Sequence, residues 1–123
     1  MLDCFDETQS RLAEADAERD GCWSRAYLAS TVTDDGRPAD GSAQLMAGLL
    51  ALVGNDPQKL APLRERFGRW HARLEEDGID PETAVIVRLA ADGLWLSALL
   101  GLPSPQPELL ARVITRLREM TRP

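Results

Sequence analysis

The side chains of this chain that could perform chemistry are few and lie far apart in the sequence. His71 is the only histidine, and the two cysteines, Cys4 and Cys22, lack the Cys-x-x-Cys spacing of a metal or redox site. A structural metal needs several such ligands together, so we expect no metal and no cofactor. The cysteines are predicted to be reduced thiols of a cytosolic protein. His71 could anchor a ligand or titrate near neutral pH, or it could be a partly exposed helix residue without a task.

No catalytic constellation is present. Serine and threonine are common, but there is no Gly-x-Ser-x-Gly motif and no second histidine to act as a base. Asp34, Asp35 and Asp40 lie close together, yet they lack the alternating ligands of a calcium loop and favour a solvated turn. The sequence therefore predicts no catalytic residues and no enzyme. A small helical enzyme or metal protein that uses His71, Asp92 and the cysteines stays open as an alternative, which metal analysis would test.

Arg88 and Asp92 are a pair of charges in an otherwise apolar segment. They lie four residues apart, so they share one face of a helix and could pair, although acidic-before-basic is the better order. Unmatched charges in such surroundings would be costly. One interpretation is a polar anchor in a pocket or across a dimer interface, and the other is a buried pair that fixes the packing register.

These residues must be positioned by helices. The chain has 123 residues, 44% of them apolar and 28% charged, and good helix formers dominate the composition. A chain of this length can bury a core without disulfides or metals. We therefore predict one all-α domain, a helical bundle that spans residues 1–123.

Prolines, glycines and apolar spacing divide this domain into about six helices. The fourth is expected to follow a short turn at residues 57–60, because Pro62 cannot lie deep inside a helix. The predicted helices are residues 2 to about 17, about 22 to 32, a third capped by Asp40 or Ser42 that ends at Gly54, 61 to about 76, 81 to about 100, and one that opens at Pro107.

Charge and hydropathy limit the possible environments. The net charge is −6, from 14 basic and 20 acidic residues, and phosphate contacts need a basic surface. Residues 84–102 are long and apolar, but Arg88 and Asp92 would each cost about 2.5–3.5 kcal/mol at the centre of a membrane helix. The first residues carry Asp3 and Asp6 and no long apolar run, unlike a signal peptide. We expect a cytoplasmic protein that does not enter membranes.

Residues 60–102 carry the most informative pattern, LAPLRERFGRWHARLEEDGIDPETAVIVRLAADGLWLSALLGL. An amphipathic helix leads to the turn DGID, and a helix that is apolar on almost every side follows Pro81. This arrangement resembles the C-terminal, effector-binding and dimerising half of TetR-like transcriptional repressors. The resemblance extends from about Trp23 to Met120 and is sharpest around DGIDP and VRLAADGLWLSALLGL.

The resemblance implies a small-molecule pocket, pairing of two subunits through the last two long helices, and operator binding by a separate helix-turn-helix. No recognition helix or basic stripe is visible between Met1 and Thr33, so this chain alone is not expected to bind DNA. A fragment, a late start codon and a naturally headless protein all remain open. A headless protein could be an interaction module that dimerises without sensing a ligand or reading DNA.

The large apolar residues of the first four predicted helices are candidates for lining a pocket for an apolar or aromatic effector, or they form a packed core. His71 or Asp92 could supply a polar anchor. The candidate lining residues are Trp23, Tyr27, Met46, Leu50, Phe67 and Trp70.

The helix that follows Pro81 suggests a partner subunit. Because it is apolar on every side, its own domain can cover only part of it. Together with the last helix it would form half of a four-helix dimer interface. The candidate interface residues are Leu94, Trp95, Ala98, Leu110, Val113, Ile114 and Leu117, although the sequence does not decide which face of the helix points outward.

Overall fold

The computed structural model describes the backbone of residues 2–33, 48, 51, 54, 56–103 and 105–123. Over these residues the protein is all-α, with five α-helices and one short 3-10 helix. The predicted fold class is therefore confirmed. The elements are α1 (Leu2–Ala15), α2 (Cys22–Thr31), the 3-10 helix Pro57–Leu60, α3 (Ala61–Glu75), α4 (Pro81–Leu100) and α5 (Pro107–Met120).

The predicted helix bounds agree with the structure to within two residues wherever the two can be compared. The turn expected before Pro62 is the 3-10 helix, and Pro62 lies in the first turn of α3, where a missing amide hydrogen does no harm. Most of the third predicted helix, including Met46 and Leu50, lies outside the described residues. Gly48, Ala51 and Gly54 are described and are helical.

Helix α2 is the centre of the bundle. It packs against α1, α4 and α3, and it buries side chains around most of its circumference. Tyr27 and Leu28 belong to the main core, whereas Cys22 and Ala26 join a smaller cluster with Ala13 of α1. The other buried members of the main core are Val32, Trp70, Leu74, Ala84, Val87, Ala91, Trp95, Ile114 and Leu117.

Local signals set both ends of α4. The Asp80 carboxylate accepts hydrogen bonds from the backbone N–H and the hydroxyl of Thr83, both at 3.0 Å, and Pro81 occupies the first helical position. This is the cap-then-proline signal read in the sequence. Gly101 ends the helix with a φ of 65°, a left-handed conformation that suits glycine.

The turn between α3 and α4 has a second role that the sequence analysis missed. The Asp77 carboxylate accepts hydrogen bonds from the backbone N–H groups of Trp23 at 2.9 Å and Ser24 at 2.8 Å. The Asp77 carbonyl also accepts from the N–H of Gly21 at 2.7 Å. Asp77 therefore caps α2 from more than fifty residues away. The sequence held one indication of this contact. Gly21, the residue before α2, has no side-chain oxygen to cap the helix, so a cap had to come from another part of the chain.

Arg25 ties the α1–α2 connection to the end of α5. Its Nε donates to Asp16 at 2.6 Å, and its two terminal nitrogens donate to the carbonyls of Thr121 at 2.8 Å and Glu18 at 2.7 Å. The hydrogen bond from Arg25 holds the pKa of Asp16 below its usual value. Gly21 lies against the Thr121 carbonyl, which also accepts from Arg25. A Cβ at Gly21 would clash with this carbonyl oxygen, so the position has no room for a side chain.

Candidate functional site

A group of polar side chains lies inside the bundle, where α2 meets α4. The Tyr27 hydroxyl of α2 donates a hydrogen bond to the Asp92 carboxylate of α4. Burial is the main reason that the pKa of Asp92 lies above its ordinary value, and the hydrogen bond from Tyr27 acts in the opposite direction. Burial, followed by the charge of Asp92, also raises the pKa of Tyr27. Asp92 is thus a carboxyl group whose ionised form is disfavoured.

Arg88 does not form the predicted contact with Asp92. No ion pair joins the two side chains in the described part of the chain, although the positive charge still lowers the pKa of Asp92 by a smaller effect than burial. The Arg88 Nε is buried and has no hydrogen-bond partner in the part of the chain that the structure describes. A buried donor without an acceptor typically costs about 1–3 kcal/mol.

Trp95 presents a second buried donor of the same kind. The residue is only 7% exposed, and its indole Nε1 has no hydrogen-bond partner among the described residues. Arg88, Asp92 and Trp95 follow each other at spacings of four and three, so they lie on one side of α4. We call these three residues the polar face of α4. It carries two unpaired donors and one carboxyl group that already accepts from Tyr27.

Four of the six predicted pocket-lining residues are aromatic, and the structure brings them to α2 and α3. Tyr27 and Trp70 are buried in the core with ring centroids 6.5 Å apart, and Phe67 lies 4.7 Å from Trp70. Trp23 packs at the edge of the core beneath the guanidinium of Arg73, 4.6 Å from the ring centroid. Their role as pocket residues stays a prediction, and Met46 and Leu50 lie outside the described residues.

His71 lies on the outer side of α3. Its Nε2 is 2.7 Å from the Glu75 carboxylate one turn later, and its side chain is 35% exposed. The neighbouring Trp70 points inward instead, and its indole N–H donates to Asp6 of α1, which also accepts from Arg66 at 2.8 Å. Among the described residues, no hydrogen bond or ion pair joins His71 to the polar face of α4, where Asp92 lies.

The predicted dimer-interface residues divide into two groups. Trp95, Leu110, Ile114 and Leu117 are buried within the subunit. Leu94 and Val113 are partly buried against the same core, and Ala98 is exposed. The side chains of the buried members are already covered within the subunit. They could contribute to an interface only indirectly, by packing under the residues that contact a partner.

A different set of apolar residues is exposed along α4. Ile86 is 53% exposed, Leu89 55%, Leu96 37% and Leu100 50%. With Gly93 they follow each other at spacings of three, four, three and four, which is the pattern of a helix-packing seam. We call these five residues the α4 stripe. An exposed apolar row of this kind is a candidate surface for protein interaction.

Helix α5 continues this apolar surface. Leu109 is 46% exposed, and it borders a groove of about 480 Å³ together with Arg112, Val113, Arg116 and Leu117. Leu102, in the connection between the two helices, is also exposed. Most of the large exposed apolar residues in the described part of the chain thus lie on the last two helices and their connection. The interface itself stays a prediction.

Residues 21–122 match the family described as Tetracyclin repressor-like, C-terminal domain. The chain belongs to this family of non-enzymatic regulatory domains, so the resemblance found in the sequence is confirmed. The match begins at the turn that precedes α2, and α1 lies before it. No curated protein and no solved structure gives a significant match.

No helix in the described ranges is long and apolar enough to cross a membrane. Among the same residues, no group of three or more histidine, cysteine, aspartate or glutamate side chains is placed to hold a metal ion.

Proposed function

We propose that this chain is the effector-binding and dimerising domain of a TetR-type regulator that works in the cytoplasm. Its effector would control operator binding by a helix-turn-helix that is not part of this chain. The observation that carries the proposal is the α4 stripe. In a member of this family, an exposed apolar surface on the last two helices, α4 and α5, is expected to pair two subunits.

The stripe favours pairing of two identical subunits. In a two-fold dimer the same surface of each subunit meets its copy, so a stripe with seam spacing would face another stripe of the same spacing. Helix α5 would add Leu109 and Val113 to the same interface. Interfaces of obligate dimers typically bury about 2,000 Å² or more, and two long helices from each subunit can supply such an area.

The effector role is supported by the contents of the bundle. Aromatic residues of α2 and α3 lie near a helix face that carries unpaired hydrogen-bond donors. Small-molecule sites are usually apolar and aromatic with a few polar groups that orient the ligand. Asp92 is the predicted anchor that lies among these groups, whereas His71 lies outside them.

Light scattering across a dilution series tests the dimer. We expect a dimer at tens of micromolar and a monomer for Leu89→Arg, since a charge in the middle of the α4 stripe would be buried without a partner. The matched control is Leu12→Arg, which alters a leucine that is 37% exposed on α1 and should leave the dimer intact. A wild-type monomer at this concentration, with helix content preserved, would refute the proposal.

The runner-up function is an interaction module that dimerises without sensing a ligand. The α4 stripe favours both functions equally, so only ligand binding separates them. A ligand that binds the native state raises the melting temperature. A dimer that no small molecule stabilises, over a broad screen of apolar and aromatic compounds, would favour the interaction module.

A further inference from the structure

We propose that the effector is an apolar, ring-containing molecule with a carboxylate or carbonyl oxygen, held by the Arg88 Nε–H and the Trp95 Nε1–H of α4. This inference rests on the proposed function, because it assumes that the bundle takes an effector. It adds the chemical class of that effector, a donor role for Arg88 that is separate from pairing with Asp92, and an anchoring role for Trp95, which the sequence analysis placed in the dimer interface.

The chemistry follows from the imbalance of donors and acceptors on the polar face of α4. Two buried N–H groups have no acceptor among the described residues. The Asp92 carboxylate, which lies between them on the helix and accepts from the Tyr27 hydroxyl, accepts from neither. A ligand oxygen would satisfy an N–H group that is otherwise unpaired. An ammonium group would instead place further donors, and a like charge, beside Arg88.

Trp95 is the stronger of the two observations. It is more than nine-tenths buried, and no described residue accepts from its indole nitrogen. Buried indole N–H groups usually find a partner. The other buried indole of the core, in Trp70, does so through Asp6. The same residue type is therefore satisfied on α3 and unsatisfied on α4.

Spacing along the helix limits the size of the ligand. Arg88 and Trp95 are seven residues apart, so their attachment points differ by about 10 Å along the axis. A molecule about two fused rings long, with an oxygen at each end, would reach both donors. The aromatic side chains of Tyr27 and Trp70 lie in the adjoining core and suit the faces of such rings.

Calorimetric titration with two naphthalene probes tests the inference. One probe is 6-hydroxy-2-naphthoate, which carries oxygens at both ends, and the other is 2-naphthylmethylammonium, which has similar ring area and the opposite charge. We expect the naphthoate to bind at least about tenfold more tightly. Equal affinities, or a preference for the ammonium probe, would overturn the inference without any variant being needed.

Two variants assign the anchors. Arg88→Met and Trp95→Phe keep most of the side-chain volume and remove the donor, and each should weaken naphthoate binding by about tenfold. They should change binding of the ammonium probe little. The matched control is Arg64→Met, at an exposed position of α3, which should bind both probes like the wild type. Helix content and the melting temperature check that each variant is folded.

The outcomes separate the inference from the proposed function. If the naphthoate binds but both variants bind it equally well, water satisfies the two donors and the inference is wrong, while effector binding stands. If neither probe binds at about 1 mM, the inference also fails. Light scattering of Leu89→Arg then judges the dimer independently.

Discussion

Asp92 is the residue at which burial most directly disfavours an ionised side chain. Its carboxyl lies among apolar side chains, and one hydrogen bond from Tyr27 does not offset the cost of burying its charge, since the pKa remains raised. The Arg88 cation forms no ion pair with Asp92, and it lowers the pKa of Asp92 by less than burial raises it. Such a group weakens the fold at neutral pH, which is common where a residue serves a site more than it serves stability.

Asp92→Asn should reveal this conflict as a function of pH. Because the pKa of folded Asp92 lies above its ordinary value of 3.8, the folded state binds the proton more tightly than the unfolded chain. The wild type therefore loses stability as the pH rises from 3.8 through the pKa of the folded carboxyl. Asparagine cannot ionise but can still accept from Tyr27, so the variant should gain stability relative to the wild type across this range.

Urea unfolding at several pH values measures the difference. The matched control is Glu65→Gln, which neutralises an exposed carboxylate of α3 and should show little pH-dependent gain. An Asp92→Asn variant whose stability relative to the wild type is the same at every pH would contradict the raised pKa.

Asp77 is the residue on which the start of α2 depends. Its carboxylate accepts from two backbone N–H groups of the first turn, where a negative charge also complements the helix dipole. We expect Asp77→Ala to lower the free energy of unfolding by about 2 kcal/mol. Denaturant unfolding checks this value. The neighbouring exposed Glu76 provides the control, since Glu76→Ala should change it by less than about 0.5 kcal/mol.

For single residues, the sequence indicated which side chains are buried better than it indicated which side chains contact each other. Trp23, Tyr27, Phe67 and Trp70 pack in or against the core, which is one of the two interpretations that the sequence left open. The tertiary cap by Asp77 could not be predicted, because it joins segments whose relative position depends on the packing of the whole bundle. The contact between Tyr27 and Asp92 could not be predicted either, because it depends on where along its length α4 packs against α2.

Among the helices, α4 combines an inward face that is already packed with an outward face that is not. Gly93 lies in the middle of the outward face, and a Cβ added there would meet nothing within 4 Å in the subunit. Glycine inside a helix costs about 1 kcal/mol relative to alanine. A close approach of a second helix would explain why the stripe has glycine at this position.

Gly93→Ala therefore tests whether the stripe lies in an interface. The variant should stabilise the isolated helix but weaken the dimer, because the new methyl group would occupy the notch between paired subunits. Gly68→Ala in α3 is the control, since a Cβ there also meets nothing within 4 Å and Gly68 lies outside the stripe. We expect that variant to gain about 1 kcal/mol without a change in dimer affinity.

Analytical ultracentrifugation gives the dimer affinity of both variants. Equal affinities for Gly93→Ala and Gly68→Ala would mean that no helix approaches closely at Gly93.

Helix bounds were predictable because local residues decide them. Asp80 and Pro81 start α4, Gly101 ends it, and Pro107 starts α5. The outward face of α4 was not predictable, since a helix that is apolar on all sides carries no amphipathic signal. The packing of α2, α3 and α5 against one side of it distinguishes Trp95, which is covered, from Leu96, which is exposed.

For the molecule as a whole, charge restricts what this chain can bind. The net charge is −6, and duplex DNA repels a protein of that charge unless it presents a local basic surface. We expect the 123-residue chain alone to show no sequence-dependent binding to operator-length duplexes at physiological salt. A gel-shift assay measures this, and tight, sequence-dependent binding would contradict it.

The cap that Asp77 provides also has a consequence for the order of folding. Its hydrogen bonds with α2 span 53 and 54 residues, so the chain must close a long loop before they form. Contacts of such separation are generally late to form, and substitutions in them act mainly on the unfolding rate. Stopped-flow kinetics of Asp77→Ala should therefore show faster unfolding and nearly unchanged refolding, which would make the start of α2 one of the last parts of the domain to become ordered.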